Sequence, residues 1–210
     1  MAEYREIADA LKAGQAPTVA SMVQEALDEG KDAEDILNNG LILGMGEIGV
    51  LFRNNEVYVP EVLIAARAMY AGLDLIKPIL SEKDIEPAGI VAIGTVKGDL
   101  HDIGKNLVAM MMEGAGFKVL DLGTDVGADK FINAIENDGV KIVAMSALLT
   151  TTMPQMKSVI EELEAKGLRD KVKVMIGGAP VTQQYADEIG ADGYSDDAAS
   201  AAELAKELSA

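Results

Sequence analysis

Gly98-Asp99-Leu100-His101-Asp102-Ile103-Gly104-Lys105-Asn106 holds the one histidine of this chain, and its flanks decide the fold. Before it runs Gly89-Ile90-Val91-Ala92-Ile93-Gly94-Thr95-Val96, a short apolar, β-branched stretch that reads as a buried strand. After it, Asn106-Leu107-Val108-Ala109-Met110-Met111-Met112 reads as a helix. The imidazole thus falls on a strand-to-helix loop at a carboxyl strand end, where open α/β sheets bind ligands. Asp99 can reach back to one ring nitrogen and fix the tautomer, as expected beside a metal-ligating histidine. Gly98 and Gly104 bracket the loop and suit a sharp bend or a close ligand. The competing reading is a surface histidine among acids.

Outward from this loop the same alternation repeats. Strands are expected at Ile90–Val96, Lys118–Leu122, Lys141–Ser146 and Val172–Ile176, with a short one near Gly193-Tyr194. Helices are expected at Gly104–Gly114, Asp129–Asn137, Pro154–Lys166, Thr182–Ile189 and Ala198–Leu208. Strands alternating with helices imply a doubly wound parallel sheet, and five strands fit a flavodoxin-like (Rossmann-like) order. His101, Ser146 and Gly177 all fall at carboxyl strand ends.

Residues 1–80 read as helices only. Tyr4, Ile7, Ala8 and Leu11 share one helical face that Gly14 can end, and a second stripe from Pro17 runs through Val19, Met22, Val23, Ala26 and Leu27 to Gly30. A third segment starts near Asp32, is expected to break at Asn38-Asn39-Gly40, and resumes through Leu43, Met45, Ile48, Leu51 and Phe52. A fourth, Val59 to Ile76, carries Leu63, Ala66, Tyr70 and Leu73 on one face. This predicts a four-helix bundle over 1–80, a polar linker over 81–87 ending in proline, and the α/β domain over 88–210.

Composition narrows the function. With 18 Lys+Arg against 35 Asp+Glu, the formal net charge of −17 excludes nucleic acid and anionic membrane as expected partners. The absence of cysteine excludes disulfides and thiolate metal sites and suits a cytoplasmic protein. The start Met1-Ala2-Glu3-Tyr4-Arg5-Glu6 has no signal-peptide core, and no apolar run is expected to reach the ~20 residues of a membrane span. The eleven methionines read as core filler.

Asp99, His101 and Gly104, spaced Asp-x-His-x-x-Gly, resemble the signature of cobalamin-binding domains. The chain is similar to the corrinoid proteins of methylamine, methanol and O-demethylase methyltransferase systems and to the cobalamin module of methionine synthase. Ser146-Ala147-Leu148-Leu149-Thr150-Thr151-Thr152 resembles that family's Ser-x-Leu-x-Thr element, and Gly177-Gly178 its paired glycines. Phe52 to Glu61 resembles its cap segment, and the resemblance spans residues 1–208.

The resemblance implies cobalamin, as methylcobalamin, cob(I)alamin or a related corrinoid, bound base-off with His101 as the lower axial ligand of cobalt. Asp99 would accept a hydrogen bond from the other ring nitrogen, with Thr152 at the position of the family's relay serine. An N-cap role for Thr152 ahead of Pro154 is equally open. Gly98, Asp102, Ile103 and Gly104 would lie under the corrin. Ser146, Leu148, Thr150, Gly177 and Gly178 would line the nucleotide-tail channel. Phe52 and Val59 would cap the upper face. Protonating the His–Asp pair would disfavour ligation, so reduction of the cofactor is expected to take up a proton here.

No substrate-activating metal site is visible, so the chain reads as a non-catalytic corrinoid subunit, a methyl carrier. Its implied partners are a substrate-specific methyltransferase, a second methyltransferase with tetrahydrofolate or a thiol such as coenzyme M as acceptor, and a reductive activase. A cobalamin-dependent sensor, the small subunit of a cobalamin mutase, and a flavodoxin-like or phosphorelay domain remain alternatives. The methyl donor is not written in these residues.

Overall fold

The structure, a computed structural model, describes residues 2–82 and 86–209. Its contacts divide the chain into two units, Met1–Glu86 and Pro87–Ala210. In the second unit the apolar runs form β1 (Ile90–Thr95), β2 (Lys118–Asp121), β3 (Ile142–Ser146), β4 (Lys173–Gly177) and β5 (Gly193–Ser195). The order is β2-β1-β3-β4-β5, every pair parallel, which is the flavodoxin-like order. The register sets Thr95, Ser146, Gly177 and Ser195 in one row across the carboxyl edge of β1, β3, β4 and β5.

Successive side chains of a strand point to opposite faces, and here both faces are covered. Ala92, Val143, Met145, Val174 and Ile176 pack with Phe131, Ile132, Met156, Val159, Ile160 and Leu163 in one buried cluster. Val91, Ile93, Ala144 and Met175 are buried as well, which is why β1, β3 and β4 read as continuous apolar runs.

The first unit holds α1 (Ala2–Lys12), α2 (Ala16–Asp28), α3 (Ala33–Arg53) and α4 (Val59–Glu82). The second adds α5 (Ile103–Gly114), α6 (Ala128–Asp138), α7 (Pro154–Ala165), α8 (Gln183–Ile189) and α9 (Ala198–Ser209). The four-helix reading holds, with four corrections. The expected break at Asn38-Asn39-Gly40 is instead a π-helical stretch, Leu37–Ile42, inside an unbroken α3. Glycine serves close packing there. A Cβ at Gly40 would meet Ile7, and one at Gly44 would lie 3.0 Å from the Ala8 backbone.

The buried face of α4 is Val62, Ala65, Ala66, Met69, Gly72 and Ile76, while Leu63 is 44% exposed. Small residues won this face because α2 and α3 come close: a Cβ at Gly72 would lie 2.9 Å from Leu41. The helix also runs past Ile76 and through Pro78 to Glu82. Proline offers no N–H to the Asp74 carbonyl. Asp74 and Pro78 both lie on the exposed side, where water can satisfy it.

Finally, α3 is 21 residues long with an 18-residue window of mean hydropathy 1.2, long and apolar enough for a span. In the sequence Asn38-Asn39-Gly40 divides this run, and its full length emerges only because the helix continues through them. Ile36, Leu41, Met45 and Ile48 from its length lie in the core of the helical unit. Residues 83–85 of the expected linker lie outside the described residues.

Candidate functional site at the carboxyl edge of the sheet

The loop after β1 turns at Gly98, whose φ is +83°. That turn sends the Asp99 side chain inward, where it is completely buried. A buried carboxylate needs donors in place of water, and Asp99 has five. Oδ1 accepts from His101 Nδ1 at 2.7 Å and from the His101 N–H at 3.2 Å. Oδ2 accepts from the Leu148 N–H at 2.8 Å, the Leu149 N–H at 3.2 Å and Thr152 Oγ1 at 2.8 Å. Burial pushes the Asp99 carboxyl up, but the bonds from His101, Leu148 and Thr152 outweigh it and hold it well below the usual carboxylate range.

An ionised carboxylate only accepts, so the proton between it and the imidazole sits on Nδ1. Nε2 of the neutral ring then carries the lone pair. The His101 side chain is 52% exposed, so the ring is open to a ligand while its other nitrogen is anchored. Thr152 Oγ1 also lies 2.9 Å from the Leu149 carbonyl, and its single proton goes to the charged acceptor. The N-cap of α7 is Met153, not Thr152.

Of the residues read from the sequence, the fold gathers Asp99, His101, Leu148 and Thr152 into one hydrogen-bonded set. Asp102, at the N-cap of α5, accepts from Asn106. Ile103 and Gly104 open that helix and are exposed. Ser146 and Gly177 sit side by side in the edge row. Gly178 has φ +124°, and a Cβ there would run into the Ala147 carbonyl. Thr150 is exposed on the same loop and is not among the donors to Asp99. Phe52 and Val59 are half-buried at the end of α3 and the start of α4, in the other unit.

Sequence reasoning missed four contributors. Thr95 Oγ1 donates to the His101 carbonyl at 2.8 Å. Asp125, a non-glycine residue at φ +54°, accepts the Gly98 N–H at 2.7 Å and donates its own N–H to the Asp99 carbonyl at 3.0 Å. Leu100 and Leu149 are 73% and 41% exposed, and with Ile103 at 79% and Leu148 at 43% they lie on the two segments that Asp99 joins through His101 and the Leu148 and Leu149 N–H groups. These are the exposed large apolar side chains of this unit among the described residues. The one available signal was Gly123-Thr124-Asp125 at a carboxyl strand end, since aspartate tolerates positive φ.

The B12 binding domain family matches residues 89–203, and a second B12 binding domain family matches residues 3–77. A dimethylamine corrinoid protein from Methanosarcina barkeri is 45% identical over 97% of this chain and 96% of its own length. A corrinoid protein from Desulfitobacterium hafniense is 42% identical over 97% of this chain and 95% of its own.

The chain belongs to the corrinoid proteins.

Among solved structures, the methanol:cobalamin methyltransferase complex from Methanosarcina barkeri matches this corrinoid protein with TM-score 0.88 and 31% identity, over 99% of this chain and 79% of that one. A cobalamin-binding protein from Desulfitobacterium hafniense matches with TM-score 0.82 and 29% identity, over 98% of both chains.

The cofactor of the corrinoid protein is of the cobalamin type, and the residues present fit such a group. The platform of Leu100, Ile103, Leu148 and Leu149 offers an apolar surface that needs a cover. An imidazole with Nε2 unprotonated stands within it.

Proposed function

We propose that this corrinoid protein is a methyl carrier that holds its cofactor base-off through His101 and serves two methyltransferases in turn. The observation that carries the reading is the Asp99–His101 pair, which leaves Nε2 as the one basic, outward nitrogen of an otherwise apolar platform. When bound, the corrinoid supplies the chemistry, because its cobalt takes up and gives up a methyl group. The chain's residues hold and shelter it. His101 Nε2 would bind the cobalt, while Asp99 fixes the ring tautomer and Thr152 with the Leu148 and Leu149 N–H groups holds Asp99 still. Leu100, Ile103, Leu148 and Leu149 exclude water beneath the ring.

Ser146, Leu148, Thr150, Gly177 and Gly178 are proposed for the displaced tail, and Phe52 and Val59 for the cap. Likeness to a dimethylamine corrinoid protein and to one chain of a methanol:cobalamin methyltransferase complex supports a methyltransferase as the partner that loads the carrier. Tetrahydrofolate or a thiol is proposed as the final acceptor, and a reductive activase as a further partner.

The test compares absorption spectra of wild type and His101→Ala, each reconstituted with hydroxocobalamin, then reduced and offered a methyl donor. One corrinoid per chain with a spectrum that changes in His101→Ala is expected. Identical spectra would refute ligation by His101. Wild type that takes up no methyl group would refute the carrier and favour a sensor.

A further inference from the structure

Lys105, four residues after His101, is a second buried charge of this segment. Its side chain is 1% exposed in the first turn of α5, where a cation opposes the helix dipole. Nζ lies 2.6 Å from each carboxylate oxygen of Asp121 and 2.6 Å from Asn106 Oδ1. Asp121 closes β2 and also accepts the Gly123 N–H at 2.9 Å. Asn106 passes the chain on: its Nδ2 donates to Asp102 Oδ2 at 3.3 Å, and its N–H donates to the Asp102 carbonyl at 2.8 Å. Asp102 follows His101 directly and stands at the N-cap of α5. Its carboxylate caps none of the helix N–H groups and is turned to Asn106 instead.

A helix start without a side-chain cap is loosely held. Here it follows the very residue that must present Nε2. The Lys105 ammonium is buried and the Asp121 carboxylate is 45% exposed, so desolvation of the ammonium limits what the pair adds to stability. What such a pair does give is a fixed place for the atoms it joins. Thr95 and Asp99 hold the entry of the loop, through the His101 carbonyl, N–H and Nδ1. The run Asp121–Lys105–Asn106–Asp102 holds its exit.

We infer that Lys105, tied to Asp121, is a positioning residue for His101, keeping the first turn of α5 in the one place from which Nε2 can reach the cobalt. The inference rests on the reading of His101 as the cobalt ligand. Sites must be held to within a fraction of an ångström to act, and it is the supporting residues that do this. The Lys105 ammonium touches no cofactor atom in this role, because its side chain is buried and its Nζ is taken up by Asp121 and Asn106.

The test uses the whole chain loaded with aquocobinamide, a corrinoid that lacks the benzimidazole tail and so has no axial nitrogen of its own, and reduced by one electron. Electron paramagnetic resonance reads the axial nitrogen, which splits each cobalt line into a triplet. Wild type is compared with Lys105→Met and with the double variant Lys105→Met, Asp121→Asn, and thermal melting is followed alongside. The ratio of nitrogen-ligated to unligated cobalt is expected to fall about tenfold in Lys105→Met while the corrinoid stays bound. The double variant, in which the 45%-exposed Asp121 also loses its charge, is expected to melt close to Lys105→Met and likewise to lack the triplet. A full triplet in Lys105→Met, or one restored in the double variant, overturns the inference. So does unfolding of both variants, since the pair would then hold the domain rather than the loop. Wild type without a triplet overturns the His101 reading itself, and this inference with it.

Discussion

A carboxylate with no exposed surface stays charged only because donors take the place of water, and each of the five donors to Asp99 has a direction. Asn in its place must turn an NH2 toward one of two sets of donors. Facing Leu148 and Leu149 it would oppose their N–H groups. Facing His101 it would donate to Nδ1 and drive the ring proton to Nε2, removing the lone pair. Asp99→Asn should therefore abolish cobalt ligation and cost about 3 kcal/mol of stability at pH 7. The sign with pH follows from the lowered pKa of Asp99. Its stabilisation is complete above the ordinary aspartate value of 3.8 and is lost as pH falls below it. Urea unfolding of wild type and variant should differ by a constant amount from pH 5 to 8, and the two should converge as pH drops toward 2. A gap unchanged at acid pH would mean that Asp99 stabilises by shape, not charge. The sequence displays Asp99 and His101 together because they are two residues apart. The contacts to Asp125 and from Lys105 to Asp121 span 27 and 16 positions and leave no local trace.

Among elements, the strands and helices of the second unit were legible because apolar runs of strand length are bounded by Gly, Asp and Asn, and amphipathic runs follow them. The first unit was less so. Asn38-Asn39-Gly40 carries the letters of a turn, yet tertiary packing of Gly40 on Ile7 keeps it helical. Local propensity is a weak prior against such contacts. Leu63 misled for a related reason: the face of α4 that packs is the one with small residues, not the one with the largest. The edge of the sheet offers a sharper test of where glycine is required. Gly178 combines φ +124° with the Ala147 carbonyl in the way of any Cβ, so Gly178→Ala should cost about 3 kcal/mol. Gly98 has φ +83° but only ordinary contact, 3.6 Å from Thr152, so Gly98→Ala should cost about 1 kcal/mol. Equal costs in thermal melting would mean that φ alone decides, and that the close approach of β4 to the loop after β3 is not fixed.

At the scale of the molecule, 35 acidic against 18 basic residues set two effects against each other. General repulsion of a net charge of −17 opposes the folded state. Specific pairs, such as Arg5 and Lys12 with Asp9 and Glu47 between α1 and α3, favour it. Salt weakens both, but not equally. Between 0.01 M and 0.1 M the screening length falls from about 30 Å to about 10 Å. That removes repulsion between distant acids first, while pairs in contact, Lys105–Asp121 among them, are screened less. Exposed pairs also contribute little each. Repulsion should therefore be the larger loss, and 0.1 M NaCl should stabilise the protein by about 1 kcal/mol, a Tm gain of about 2–4 °C. Calorimetry at the two salt concentrations decides it. A Tm that falls with salt would mean that the network of Arg5, Lys12, Asp9 and Glu47 outweighs the excess of acids, and His101→Ala, which leaves all of these charges in place, should then show the same fall.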